Sequence, residues 1–567
     1  MKSFALAFSA FASACLFGAI IPPQVFAQEV PPPKKDKPGY TINKPYFIKP
    51  DPNKSAINYT TQPKQLWVDL QLDGATIYDG TGGAPYVGNV AIKDGKIFAV
   101  GDTKGIAGAY QRLDCRGLVI APGFIDLHTH SDGPIVDPTT RANVNYITQG
   151  VTTIVTGNCG FGPVDVGAFL KKIDEQGAGS NVCHLLPHGS LRDAVMGKTA
   201  RDPTPAELDK MRLLAERGMR DGAWGMATGL IYVPATYSKT DEIAMLAKIV
   251  GGHGGIYASH IRDEGENLVQ SVEEALEIGR RGELPVHVSH FKASGKNAWG
   301  TLHLAIAAIE KARAAGRKVT ADQYPYTASS TSLEATLLPA WSREGGRSAI
   351  IDRLSDPVQR AKIRAEVERV IPDKVKIQIA GYSARRDWVG KSLDEIAAAE
   401  KRPAADIALE MEEKGGARVV VFNMNEDDMR LAMKLPWVAT ASDGSAKMPD
   451  ADRPHPRSFG TFTRKLGVYA IRENALPLEK AIRSASGLPA DILGLKDRGY
   501  LQVGQSADVV VFDPKTLIDR ATYDDPYLYS AGIRYLYVNG KPAIYDGMPT
   551  GTLAGKALRH AKEQTAK

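Results

Sequence analysis

The feature that most restricts this chain is a series of eight short apolar runs, each of strand length and most of them followed by a helical pattern: FIDLHTH, TTIVTGN, VCHLLPHG, AWGMATG, GIYASH, PVHVSH, KVTADQY and WVATASD. Strands that alternate with helices pair in parallel, and eight such units close into an α/β fold of the (β/α)8 TIM-like barrel type. The helical stretch ahead of PVHVSH supports this, because Leu268, Val272, Ala275, Leu276 and Gly279 recur on one side with Glu and Arg elsewhere. A doubly wound sheet is the competing arrangement. No glycine-rich phosphate fingerprint follows the first run to favour it.

The 567 residues exceed what one simple core supports, so smaller modules are expected around the barrel. Short β-like runs with turn signals fill residues 65–121, and VAIKDGKIFAV places Asp94-Gly95 where a tight hairpin turns. YLYVNGKPAIY repeats the device at Asn539-Gly540 near the other end. The two segments, 65–121 and 488–551, are therefore read as one small β-sandwich domain built from both ends of the chain. The barrel is assigned to 122–487. About a hundred residues separate its seventh and eighth strands, too many for a loop, and those at about 333–434 are read as an inserted lid or subdomain overhanging the active end. Residues 552–567 are left as a C-terminal tail.

At the start, Lys2, an apolar run from Phe4 to Ile21 and the small-residue pattern Val25-Phe26-Ala27 make residues 1–27 a signal peptide cleaved before Gln28. Export to the periplasm or beyond is expected. A membrane anchor competes, but Pro22 and Pro23 end the run near the lower limit for a span. Cys15 raises a lipoprotein reading, against which stands Ala12 three residues earlier, where an aliphatic residue is usual. Residues 28–64, rich in Pro and Lys and without apolar period, are expected to be an extended tether or a wrapped arm, with no fold assigned. Removing the signal peptide takes away Lys2 and no acid, leaving a net charge of +5, too mild and dispersed for nucleic acid. No membrane association beyond the signal peptide is expected, and oligomeric state is not legible. Cys115, Cys159 and Cys183 remain, an odd number that speaks against a disulfide framework.

Barrels of this kind carry their chemistry at the C-terminal ends of strands, where a period of two places alternate residues on one face. His128 and His130 end the first strand as His-Thr-His, so both imidazoles can share one metal ion. Cys159 ends the second strand, His260 the fifth and His290 the sixth, and Asp443 ends the eighth. A thiolate with several imidazoles suits zinc. His287 faces away from His290 by the same period and is read as structural. Lys292 shares the face of His290, Tyr324 ends the seventh strand, and Arg457 follows in RPHPRS.

The run PGFIDLHTH resembles the opening motif of the amidohydrolase superfamily, whose barrels bind one or two divalent metals. ITQGVTTIVTGNCGFGP, YASHIRDEGEN, PVHVSHFKASGKNAWG, DQYPYTASST, SDG and RPHPRSFGTF are similar, in order, to motifs of the N-acyl-D-amino-acid deacylases (D-aminoacylases), over about Leu66 to Gly551. The resemblance implies that Cys159, His260 and His290 hold a tightly bound zinc, with His128, His130 and Asp443 forming a second, weaker or empty position. It implies that Asp443 takes a proton from the attacking water and passes it to the leaving nitrogen. It also implies that Lys292, Tyr324 and Arg457 hold the substrate carboxylate, with Ser330 nearby. Three residues more than the family pattern separate Asp443 from Arg457. The substrate expected is a small N-acyl-D-amino acid or a dipeptide ending in a D-residue.

Two alternatives remain at this stage. A cyclic-amide hydrolase of the same superfamily needs a carboxylated lysine on the fourth strand, and AWGMATG has none. A catalytically inactive periplasmic binding protein would have no reason to keep Asp443.

Overall fold

The computed structural model describes residues 66–560. The expected signal peptide (1–27, with Cys15), the arm at 28–64, residue 65 and the last seven residues of the tail lie outside them.

All eight apolar runs form strands, at Phe124–Asp126, Val151–Thr156, Asn181–His184 with its continuation Leu186–Pro187, Gly225–Gly229, Ile256–His260, Val286–Val288, Val319–Gln323 and Val438–Thr440. Neighbours pair in parallel, the first three in one sheet and the continuation of the third through the eighth in another. The circle closes between first and eighth strands, where Asp443 N–H donates to the His128 carbonyl at 2.8 Å and His130 N–H to that of Gly444 at 2.7 Å. An open doubly wound sheet would leave two free edges, so closure excludes it. Strands packed on both faces are buried, as every residue of Val151–Thr156 is, and among their apolar and small residues they bury polar ones, Asp126, His260 and Asp322 included. The helix Leu268–Gly282 buries all five residues of the stripe read from its periodicity.

The two ends of the chain hydrogen-bond into one nine-stranded sheet in which Val509–Phe512 pairs antiparallel with Val119–Pro122. Leu72, Ile77, Ile92, Val509 and Val511 share a single apolar cluster. Both hairpin turns have the positive φ pair expected of their sequences, Asp94 51° with Gly95 72° and Asn539 51° with Gly540 78°. They pack on each other so closely that a Cβ on Gly540 would lie 2.6 Å from Gly95 Cα.

Three boundaries differ from the sequence reading. The insertion starts at residue 328, because Ala328–Ser332 pairs antiparallel with Arg418–Phe422, which also pairs with Lys376–Gly381. This three-stranded sheet and its helices enclose their own apolar core, including Leu333, Ile379, Trp388, Leu409 and Val419. The helix Glu426–Met433, placed in the insertion by the sequence reading, buries Met429, Ala432 and Met433 in the barrel core and so belongs to the barrel. At the C-terminal boundary, Gly487–Leu493 packs Leu488, Ala490 and Leu493 against Ile125, Val155 and Leu185 of the barrel, so the second β segment begins after this helix and not at 488, with Leu501 and Ala507 already in the β-domain cluster and Ile97 N–H donating to the Gln505 carbonyl. The tail is docked as well: Val182 N–H donates to Lys556, Leu558 N–H to Val182, and the Trp224 indole to Leu558 at 2.7 Å. Among the described residues no helix is long and apolar enough to cross a membrane.

Candidate metal centre

The ends of five strands converge. Three residues there, Cys159 (φ 51°), His290 (φ 35°) and Asp443 (φ 49°), have left-handed backbone, a conformation that costs a side-chain-bearing residue on the order of 1–3 kcal/mol. Each is held in it by its surroundings. Asn158 donates from Nδ2 to the carbonyls of Leu127 and Val155, and the adjoining Gly157 has no room for a Cβ, which would lie 1.9 Å from the Leu185 oxygen. His290 N–H donates to Asp322 Oδ1 at 2.7 Å, and Asp443 N–H makes the closing bond of the barrel. Asp126 ties the same seam, its Oδ1 accepting from the amides of His128 and Ser442.

The turns aim the side chains at one point. Cys159 Sγ lies 3.3 Å from His128 Nε2, 3.7 Å from His260 Nδ1 and 3.7 Å from His290 Nε2. Asp443 Oδ1 lies 3.0 Å from His130 Nε2 and 3.5 Å from His128 Nε2. Sulfur and nitrogen ligands of one tetrahedral zinc stand about 3.5 Å apart, given their usual bond lengths. The set therefore fits zinc, and three overlapping triplets have ligand atoms within 4.8 Å of one another: Cys159 with His260 and His290, His128 with His130 and Cys159, and His128 with His290 and Asp443. All six side chains expected from the sequence are together, and all but half-buried His130 are buried.

Burial alone would raise the Cys159 thiol, but the His128, His130 and His260 imidazoles hold it well below the usual thiol range. Burial opposes the charged form of Asp443 too, and Arg457 with His128 outweighs it, keeping the carboxylate ionised. His130, against burial, is pushed up to about 9 by Asp443 and Cys159. Anionic sulfur and carboxylate among imidazoles are the donors a divalent cation needs.

Two carboxylates that orient the imidazoles went unnoticed in the sequence. Glu264 Oε1 lies 2.8 Å from His290 Nδ1 and accepts from Lys292 Nζ at 2.6 Å. Asp322 reaches His128 Nδ1 at 3.4 Å and His287 Nε2 at 2.8 Å. Such carboxylates set the tautomer of a ligating histidine. Asp322 shares the face of Tyr324 by the period of two, a signal that could have found it. Nothing local separates Glu264 from Asp263 and Glu266 beside it. His287 stands behind the cluster, bonded to Asp322 and Thr320.

Of the four substrate candidates, Arg457 lies 2.8 Å from Asp443 Oδ2 without hydrogen-bond alignment, and its guanidinium carbon is 4.8 Å from the centre of the Tyr324 ring. The Tyr324 hydroxyl is buried with no partner. Lys292 donates to Glu264 and to the His290 carbonyl, its Nζ lying 2.9 Å from His290 Nδ1. The Ser330 hydroxyl donates to the Val419 carbonyl inside the insertion, while its own carbonyl accepts from Arg457. A cleft of about 320 Å³ opens over His130, His290, Lys292, Tyr324 and Asp443, and the insertion walls it with Arg369, Asp373 and Lys374.

Residues 111–544 match the model of the Amidohydrolase family. The chain is similar to the D-aminoacylase of Alcaligenes xylosoxydans xylosoxydans, 36% identical over 513 residues, covering 86% of this chain and 97% of that protein. Among solved structures, a D-aminoacylase described as defining a novel subset of amidohydrolases superposes with a TM-score of 0.76 at 34% identity, covering 87% of this chain and 100% of that one. The N-acyl-D-glutamate deacylase from Bordetella bronchiseptica, complexed with zinc and a phosphonate mimic of the tetrahedral intermediate, gives 0.74 at 32% identity, over 87% of this chain and 99% of that one.

Proposed function

The chain belongs to the Amidohydrolase family, and from that premise we propose that it is a zinc-dependent hydrolase of N-acyl-D-amino acids, including dipeptides ending in a D-residue. The observation that carries the reading is the convergence of Cys159, His260, His290, His128, His130 and Asp443 at the barrel mouth of a chain similar along its length to enzymes with this activity. Cys159, His260 and His290 would hold the zinc, with His128, His130 and Asp443 around a second position. A bound zinc lowers the pKa of water towards about 7 and polarises the acyl carbonyl.

Asp443 is the proton carrier. Held ionised by Arg457 and the imidazoles, it takes a proton from the attacking water and delivers it to the leaving nitrogen. Water adds to the carbonyl carbon and the C–N bond breaks, which yields a carboxylic acid and a free D-amino acid. Arg457, Lys292 and the unpartnered Tyr324 hydroxyl offer donors to the substrate's α-carboxylate, and an arginine suits two-pronged contact with it. The fourth strand, Gly225–Gly229, holds no lysine that could be carboxylated, which counts against a cyclic-amide reaction.

Purified protein is expected to contain zinc and to hydrolyse N-acetyl-D-amino acids in preference to their L-enantiomers; turnover of L-forms alone would overturn the reading. Asp443→Asn should lower kcat/KM by roughly 10²–10⁴-fold with zinc retained at Cys159, the scale of a lost acid–base group. Undiminished hydrolysis would remove Asp443 from its role. Export is part of the proposal and rests on the Met1–Ala27 pattern. Mature protein recovered from the producing cell should begin at Gln28.

A further inference from the structure

A second route leaves the metal centre. A chamber of about 430 Å³ shares His130, Tyr232, Ser330, Thr331 and Asp443 with the cleft, and continues past Phe161, Arg343 and Lys447. It runs on into an outer chamber of about 520 Å³, the two having Lys198, Val233, Ser332, Glu334, Arg343 and Arg418 in common. Lys292 and Tyr324 line the cleft and neither chamber, and Arg457, which borders the inner chamber, stands where that chamber meets the cleft, beside Asp443 and against the Tyr324 ring. On the deacylase reading above, the α-carboxylate end of the substrate therefore occupies the cleft, and the reacting carbonyl sits at Asp443. The acyl group has to leave by the other opening that Asp443 borders. An acetyl methyl needs on the order of one water's 30 Å³, a small fraction of either chamber.

The charges along the two routes differ. Seven basic side chains face four acidic ones in the joined chambers, whereas the cleft has four basic and five acidic. Most of the chamber cations are paired with a carboxylate in place: Arg457 with Asp443, Arg347 with Glu412, and Arg386 and Arg418 together with the single Asp452. Arg343 is not. It is 7% exposed, donates from Nη1 to the Ile231 carbonyl, and leaves Nε without a partner. Among the described residues no carboxylate pairs with it, nor with half-buried Lys447 farther along the wall. A buried guanidinium without a counter-charge is costly, and an anion arriving in the chamber relieves that cost.

We propose that the joined chambers are an acyl-chain subsite that selects an extended acyl group bearing a carboxylate several bonds from the scissile amide, with Arg343 and Lys447 as its partners. The preferred substrate is then a D-residue acylated by a dicarboxylic or acidic peptidyl chain.

The test takes the D-amino acid whose N-acetyl derivative turns over fastest and compares its N-hexanoyl and N-adipoyl forms, equal in chain carbons and different in the distal carboxylate. In the parent protein the adipoyl form should have a kcat/KM higher by about tenfold, the scale of one charge-assisted hydrogen bond. Arg343→Ala and Lys447→Ala should each bring the ratio towards one. Because both substrates are measured in one preparation, partial misfolding of a variant cancels from the ratio. Equal rates on the two forms in the parent, or a ratio that survives both substitutions, would overturn the subsite while leaving deacylation intact. Failure to hydrolyse any N-acetyl-D-amino acid would remove the deacylase reading itself.

Discussion

The barrel mouth and the inserted subdomain beside it are equally dry and differently made. At the mouth, Cys159, His128, His260, His290 and Asp443 are buried, and three of them stand on left-handed backbone. In the insertion, most side chains buried to the same degree are apolar, among them Leu333, Ile379, Leu409 and Val419, on ordinary helix and antiparallel strand. Burial in the insertion stabilises the fold. At the mouth it works against the fold, by desolvating charge and straining backbone, and the return is a set of ligand atoms held in place before any ion arrives. The comparison teaches that low exposure alone does not distinguish core from site, whereas the chemical type of the buried group and its backbone angle do.

The strongest way to break the contrast is to substitute at the mouth and look for unfolding. Cys159→Ala should reduce zinc content by elemental analysis to a small fraction of the parent value and lower kcat/KM by more than about a hundredfold, more than a lost orienting partner costs. Its circular dichroism should stay that of the parent, and loss of the folded spectrum would mean that the thiolate is part of the core. The converse test is in the insertion. Leu409→Ala should cost roughly 2–5 kcal/mol in denaturant melts, while kcat/KM per zinc-bearing molecule stays within about twofold. A large fall in that specific rate would join the two regions functionally.

The smallest effect concerns the insertion's own buried charge. Burial pushes Glu412 up to about 7 despite the Arg347 guanidinium against it. The unfolded carboxyl titrates near its ordinary value of about 4.5, so between these values the native chain holds the extra proton. Stability should therefore be greatest below about pH 4.5 as far as this residue is concerned, fall by up to about 3 kcal/mol as pH rises to 7, and stay level above. Glu412→Gln should flatten that slope in melts followed from pH 5 to 7.5. An unchanged slope would place the titration elsewhere and leave the insertion core free of ionisable cost.

Much of this was legible along the chain because it is local. The period of two sets His128 and His130 on one face, the period of helix sets Leu268 through Gly279 inward, and Asp94-Gly95 and Asn539-Gly540 turn hairpins through their own backbone preferences. These follow from bonded geometry, which neighbouring residues determine by themselves. What only the tertiary structure decided is non-local. The left-handed turns at Cys159, His290 and Asp443 depend on hydrogen bonds from other strands, and Glu264 and Asp322 become partners of His290 and His128 because barrel closure sets the distance between strand ends. The true edges of the insertion followed from the pairing of Ala328–Ser332 with Arg418–Phe422, some ninety residues later. Contacts of that span are set by how the whole chain closes on itself, which no window of sequence contains.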